Sequence, residues 1–229
     1  MMDLWAERSR ALEALKGELA VENALIERAF QLLEDIAQAL PVQATNNVFG
    51  SIAALVTAKG LALGRGTWSL MLDSLGQEAG AISRPWVEAV ELLMYLRKDP
   101  AHLKQVVEGT LPSAGERAKA IGGFAKPLRD HWNLSASHIG TEAETWAHMF
   151  NLKTATVKTR FRYSEAVLRG NMKILFGMLA WNITEASLCL RAPHGRMPQP
   201  LARQVDSLIS EDLQVFDHPS TELPDGGTG

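Results

Sequence analysis

The stretch SRPWVEAVELLMYLRKDP, residues 83–100, constrains the fold of this chain more than any other. Proline is tolerated in the first turn of a helix and disfavours helical backbone in the residue before it. The spacing therefore predicts a helix that opens at about Arg84, next to Pro85, and ends at Asp99-Pro100. Wound at 3.6 residues per turn, Trp86, Val87, Val90, Leu93 and Leu96 join other apolar residues over most of the circumference. What remains polar is one narrow stripe, in which Arg84, Glu88, Glu91, Tyr95 and Lys98 fall within roughly 80° of one another. A helix apolar over so much of its surface belongs near the middle of a bundle. Its polar stripe then faces either a slit of solvent or an internal polar pocket.

The flanking sequence repeats the helical theme. From Leu12 to Leu40, apolar positions follow alternating steps of three and four, and only Glu22 interrupts them. This is the seam of one long amphipathic helix, suited to a bundle or to a dimer. Pro41 is expected to end it. A second helix is expected from Ser51 to about Leu63, broken by Gly64-Arg65-Gly66, with Thr67 capping a third through Leu75. Thr141 with Glu144 matches a capping box, TATVKTRFRY reads as a loop or marginal hairpin arm, and a long helix is expected from about Ser164 to Leu190. The tail from Ala192, rich in Pro and Gly, reads as weakly ordered apart from a short helix near Leu201 to Ile209. The expectation is an all-α helical bundle in three parts: a long N-terminal helix over 1–40, a bundle domain over 41–191 and a flexible C-terminal tail over 192–229.

A chain of 229 residues, 46% of them hydrophobic, can bury a self-sufficient core, and its single Cys189 cannot form an internal disulfide. The first residues carry charges throughout and show no secretory signal, and the longest apolar run, Ile174 to Trp181, is far too short to span a membrane. A cytoplasmic protein with no membrane partner is expected. The net charge of -3 argues against a surface committed as a whole to nucleic acid. One local excess of positive charge, Lys153, Lys158, Arg160, Arg162, Arg169 and Lys173 against Glu165, reads either as a solvated face or as a guide for a phosphate backbone.

Chemistry-bearing motifs are sparse. The six histidines include no pair three or four apart, and H-E-x-x-H and C-x-x-C are absent, so neither a metal nor another cofactor is expected. No G-x-S-x-G elbow is present, and Cys189 sits at the apolar end of a helix, as structural thiols do. Glu88 and Glu91 share a face but act as a carboxylate pair only if that face is covered. Arg84 and Glu88, on a largely apolar helix, are costly if buried unpaired. The expectation is that they bond to each other or to a third group, with His138 and Ser135 the candidates.

The run RPWVEAVELLMYLRKDP, followed downstream by SASH, resembles a family of bacterial helical proteins marked by Arg-x-x-x-Glu, a Tyr-Leu turn, Asp-Pro and Ser-x-x-His. Here these are Arg84, Glu88, Tyr95, Leu96, Asp99, Pro100, Ser135 and His138. That family is similar to the all-helical HEPN domains, several of which are ribonucleases or toxin and antiphage components. HEPN ribonucleases resemble one another in an Arg, then four to six intervening residues, then a His. The match here, Arg97 to His102, carries no weight, because chance supplies about one such match in a chain of this composition. The resemblance implies a HEPN-like interaction or regulatory module without catalysis, in a bacterial defence or toxin-related setting, acting as a homodimer or with another protein partner.

Two other readings stay open beside it. One is a metal-independent ribonuclease, with His138 as proton-transfer group, Arg84 and Glu88 at the reacting centre, and Arg129, Ser135, Tyr95, Lys158, Arg160 and Arg162 binding RNA. The other is a binder of a small anion in an Arg84/Glu88 pocket.

Overall fold

The computed structural model describes residues 5–123, 125–132, 150–151, 154, 156–157, 162–191 and 194–216. These build an all-α bundle with one two-residue hairpin: α1 (Ala6–Ala14), α2 (Ala20–Gln43), α3 (Asn47–Leu72), α4 (Gly76–Lys98), α5 (Ala101–Val107), α6 (Ala114–Ala120), α7 (Lys126–Trp132), β1 (Phe150–Asn151), β2 (Thr156–Val157), α8 (Glu165–Leu188) and α9 (Gln199–Val215). The helix α3 lies between α2 and α4, α8 closes the core against all three, and α9 rests on α2 and α8. Trp86, Phe176, Ile26, Leu33, Ile36 and Leu179 fill the centre.

The N-terminal seam is carried by two helices rather than one. Around Gly17, a poor helix former, Leu19 N bonds back to Ala14 O at 2.9 Å, five residues away, and α1 gives way to α2. Leu15 and Leu19 stay buried through the turn, so the apolar stripe survives the break in the helix. The one polar member of the stripe, Glu22, is buried and finds Arg169 Nη1 of α8 at 2.6 Å. Pro41 does not stop α2. It sits in the last turn, where little helix is left to disrupt, and the chain turns extended at Ala44.

Asn46 caps α3, its Oδ1 accepting from Val48 N at 2.9 Å and Phe49 N at 3.1 Å. The expected break at Gly64-Arg65-Gly66 does not occur, and Thr67 is buried mid-helix rather than capping a new one. The reason is steric. A Cβ on Gly64 would lie 2.9 Å from Trp86 Cη2, and one on Gly60 would lie 2.3 Å from Asn182 Nδ2. Glycine is placed at both positions by the close approach of α4 and α8, at a propensity cost of about 1 kcal/mol each.

The central helix α4 starts at Gly76, eight residues before Arg84, and so Pro85 lies inside it. Proline costs a mid-helix about 3 kcal/mol, and the complete burial of Trp86 and Val87 beside it offsets that loss. Its end is as expected: Asp99 is extended, with φ -147° and ψ 124°, ahead of Pro100.

The hairpin pairs Phe150 with Val157 and Asn151 with Thr156, antiparallel. The Thr141/Glu144 capping box lies outside the described residues. Beyond Ala192, the expected short helix is the 17-residue α9, in which Leu201, Val205 and Leu208, spaced four and three apart, are buried. Arg28 of α2 clamps Glu211 of α9 through two bonds, at 2.5 and 3.1 Å. This clamp, with a bond from Ser207, holds the Glu211 carboxyl down at about 2.

Candidate functional site

The polar stripe of α4 is partly covered by α5, α6 and α7, which fold back over its C-terminal half and bury Glu91 and Tyr95. Lys98 Nζ donates to Ala120 O at the end of α6. Tyr95 is buried, with its hydroxyl donating to Gln105 Oε1 at 2.8 Å. Its ring stacks on His102, with centroids 3.6 Å apart and planes 8° from parallel, and His102 Nδ1 lies 2.6 Å from Tyr95 O. Tyr95 therefore pins α5 to α4 and presents no free hydroxyl for binding.

Arg97 and His102 are each held by a different partner. The Arg97 guanidinium turns to α8 and donates to Glu185 Oε2 at 2.7 Å, while His102 is taken up by Tyr95.

Arg84 and Glu88 pair with each other across one turn, Arg84 Nε to Glu88 Oε1 at 3.3 Å. Their side chains are 42% and 29% exposed, so the pair stands at the edge of the cover in contact with solvent. Exposed pairs of this spacing are worth about 0.3–0.5 kcal/mol, and the expected cost of burying them does not arise.

The buried member of the stripe is Glu91. The residue is 1% exposed, and neither carboxylate oxygen has a hydrogen-bond partner among the described residues. Arg129 of α7 brings its Nε to 3.5 Å, a charge contact without a hydrogen bond. Burial pushes the Glu91 carboxyl above the usual range; Arg129 and Arg117 pull the other way, and Glu88 adds to the rise. Arg117 of α6 donates Nη1 to Pro112 O at 2.6 Å. Thus Arg129, expected to bind RNA, is the partner of a buried acid. The sequence groups Glu88 with Glu91 but does not show which of the two is interior; only the arrival of α7 separates them.

His138 and Ser135, expected to meet Arg84 and Glu88, lie outside the described residues, as do Lys153, Lys158 and Arg160. Of the basic run, Arg162 is exposed. Arg169 turns inward to Glu22 and also reaches Glu165 at 3.1 Å. Lys173 Nζ reaches Phe216 O at 3.5 Å.

Three further features were not legible as sites. No three of His, Cys, Asp and Glu come together among the described residues. Cys189 is buried near Arg97 and Glu185, and desolvation pushes its thiol up to about 12. The helix α3 is, among the described residues, the one long and apolar enough by length and composition to cross a membrane. Core helices also meet that description. The glycines of Gly64-Arg65-Gly66, which look like a break in the sequence, conceal the length of α3.

No protein-family model, no curated protein and no solved structure matches the chain, so the functional reading rests on its own residues.

Proposed function

We propose that this chain is a non-catalytic helical interaction or regulatory module of HEPN-like type. The observation that carries the reading is how α4 spends its polar groups. Tyr95 is bound by Gln105 and His102, Glu91 faces Arg129, and Arg97 holds Glu185, each joining one helix to another. Groups committed in this way stabilise packing and are poorly placed to change partners during a reaction. Arg84 and Glu88, both reached by solvent, pair with each other at the surface. A setting in bacterial defence or toxin control is part of the proposal and rests on the resemblance in residues 84–138 alone.

An RNA-cleavage assay on the full chain tests this against the ribonuclease reading. Wild type is expected to leave single-stranded and structured RNA intact. Cleavage that is lost in His138→Ala or Arg84→Ala would overturn the module and establish the nuclease. Thermal stability is the companion readout: Tyr95→Phe is expected to lower the melting temperature by removing the bond to Gln105, whereas Arg84→Ala leaves it within about a degree.

A further inference from the structure

The C-terminal helix α9 is held to the bundle lightly. Among the described side chains three of α9 are buried, Leu201, Val205 and Leu208, against eleven of α8. The core beneath is closed without it, since α3 packs on α2 and α4, and α8 on all three. Ahead of α9 the chain is pinned independently of the helix. Thr45 N donates to His194 O at 2.7 Å and Arg196 N to Gln43 O at 3.1 Å. A Cβ on Gly195 would lie 2.8 Å from Gln43 O, so glycine is required at this close approach. The anchor is made to the turn between α2 and α3, and release of α9 beyond it need not disturb α8.

The groove that α9 occupies has a definite register. Leu32 and Leu208 line one recess, Arg28 pairs with Glu211, and Leu25 and Val215 line a second recess. Numbers rise along one helix as they fall along the other, so α9 runs antiparallel to α2. Yet the fit is loose. The recesses on either side of the Arg28 and Glu211 pair hold about 140 and 330 Å³, and the larger is walled mainly by the short side chains of Ala20, Val21, Ala24 and Val215. Close-packed interiors leave few voids larger than a water molecule.

We propose that the α2 groove is a receiving site for an amphipathic helix of a partner protein, and that α9 is its resident occupant, held in cis until that helix displaces it. The proposal deepens the module reading by naming the kind of partner, and rests on it. The resident helix supplies the pattern. Its anchors are apolar residues at i, i+4 and i+7, namely Leu201, Val205 and Leu208, with a carboxylate at i+10, Glu211, to meet Arg28. Arg28 sets the sign of that last group, because it is the one cation lining either recess among the described residues. A better ligand carries a larger apolar side chain at the place of Val215, where the larger recess stands open. A tethered helix competes at an effective concentration on the order of millimolar. A partner must therefore bind better than α9 does, and the unfilled recesses are where it gains that advantage.

A fluorescein-labelled peptide of residues 199–216, carrying Val215→Phe to fill the larger recess, provides the test by anisotropy titration against the full chain. Wild type is expected to bind it weakly, because α9 is in the way. Glu211→Arg in the chain turns the resident helix against Arg28 and is expected to tighten peptide binding about tenfold. Charge reversal locates the site. Arg28→Glu in the chain should bind the same peptide about tenfold more weakly than Glu211→Arg does, and regain it when the peptide itself carries Glu211→Arg. Hydrogen exchange on wild type needs no peptide: the amides of α9 should exchange about tenfold faster than those of α8, or more, through local opening.

Equal peptide affinity for wild type and Glu211→Arg overturns the proposal, as does a charge reversal that rescues nothing. So does exchange of α9 in step with α8, since a helix that opens only with the whole fold cannot give way to a partner. RNA cleavage decides the module reading separately: an inactive chain whose α9 stays closed overturns the receiving site alone, and an active chain that binds the peptide overturns the module alone.

Discussion

Asn182 of α8 stands so close to Gly60 of α3 that a Cβ added to the glycine would lie 2.3 Å from Asn182 Nδ2 and 3.2 Å from Trp86 Nε1. Three buried helices meet at this point, and it sets the spacing of α3 from α4 and α8. Gly60→Ala gains about 1 kcal/mol of helix propensity but drives a methyl into the Asn182 amide. The expected net is a loss of about 1–3 kcal/mol, the usual cost of overpacking a core. Gly177, on the same α8 but exposed, has nothing within 4 Å of an added Cβ. Gly177→Ala is expected to stabilise by about 0.5–1 kcal/mol. Urea unfolding of both variants checks the contrast. Combining Gly60→Ala with Asn182→Ala should recover part of the loss, since the two residues share one space.

Proline and charge chemistry made part of this fold readable in advance. Asp99-Pro100 ends α4 because the reason for stopping is local to those two residues. Glu22 stood out as the single break in an apolar stripe, and its partner Arg169 was present in the sequence, though 147 positions away. Gly60 and Gly64 were unreadable because what requires them is the indole of Trp86 and the amide of Asn182, which arrive from other helices. The stripe on α4 was readable as a direction. Which of its members is buried was not, since Glu88 and Glu91 differ only in what α7 lays over them. The length of α9 was missed for a related reason: its short apolar stripe acquires meaning only against α2.

Glu22 and Arg169 form the ion pair that joins the N-terminal seam to α8. Arg169→Ala leaves Glu22 buried with its charge uncompensated. The expected loss is about 1–3 kcal/mol, below the 3–5 kcal/mol typical of fully buried pairs because Arg169 is itself partly in water. Glu22→Leu with Arg169→Leu removes both charges and extends the apolar stripe, so the double variant should recover most of that loss. The result that would refute this is a double variant less stable than Arg169→Ala in the same denaturant titration.

Cys189 is enclosed at the end of α8, and its thiol is pushed up to about 12 by burial. At neutral pH almost no thiolate is present and no reagent reaches it. Labelling with a thiol-reactive dye is therefore expected to be slow in the native protein and to accelerate with urea in step with unfolding, so that the rate reports the opening of the α8 end. Rapid, urea-independent labelling would show instead that this end of the bundle opens locally.

Glu91 is expected to make stability depend on pH in the sense opposite to Glu116 and Glu211, whose carboxyls are held down by hydrogen bonds. Its folded-state carboxyl lies above the ordinary value of 4.5, chiefly through burial. The folded protein therefore favours the protonated acid. That contribution is fully present below 4.5 and is lost as pH rises through the folded value and the carboxyl ionises. Glu91→Gln keeps the shape without the charge. The variant should match wild type at low pH and exceed it at neutral pH. The amide also stands beside the buried Nε of Arg129 and offers it an acceptor oxygen without a charge. Glu211, held down at about 2, loses its contribution as pH falls from 4.5. That loss is common to both proteins and cancels in their difference. Parallel urea titrations between pH 4 and pH 8 make the measurement. A Glu91→Gln variant less stable than wild type at pH 7 would mean that attraction to Arg129 outweighs the cost of burying the charge.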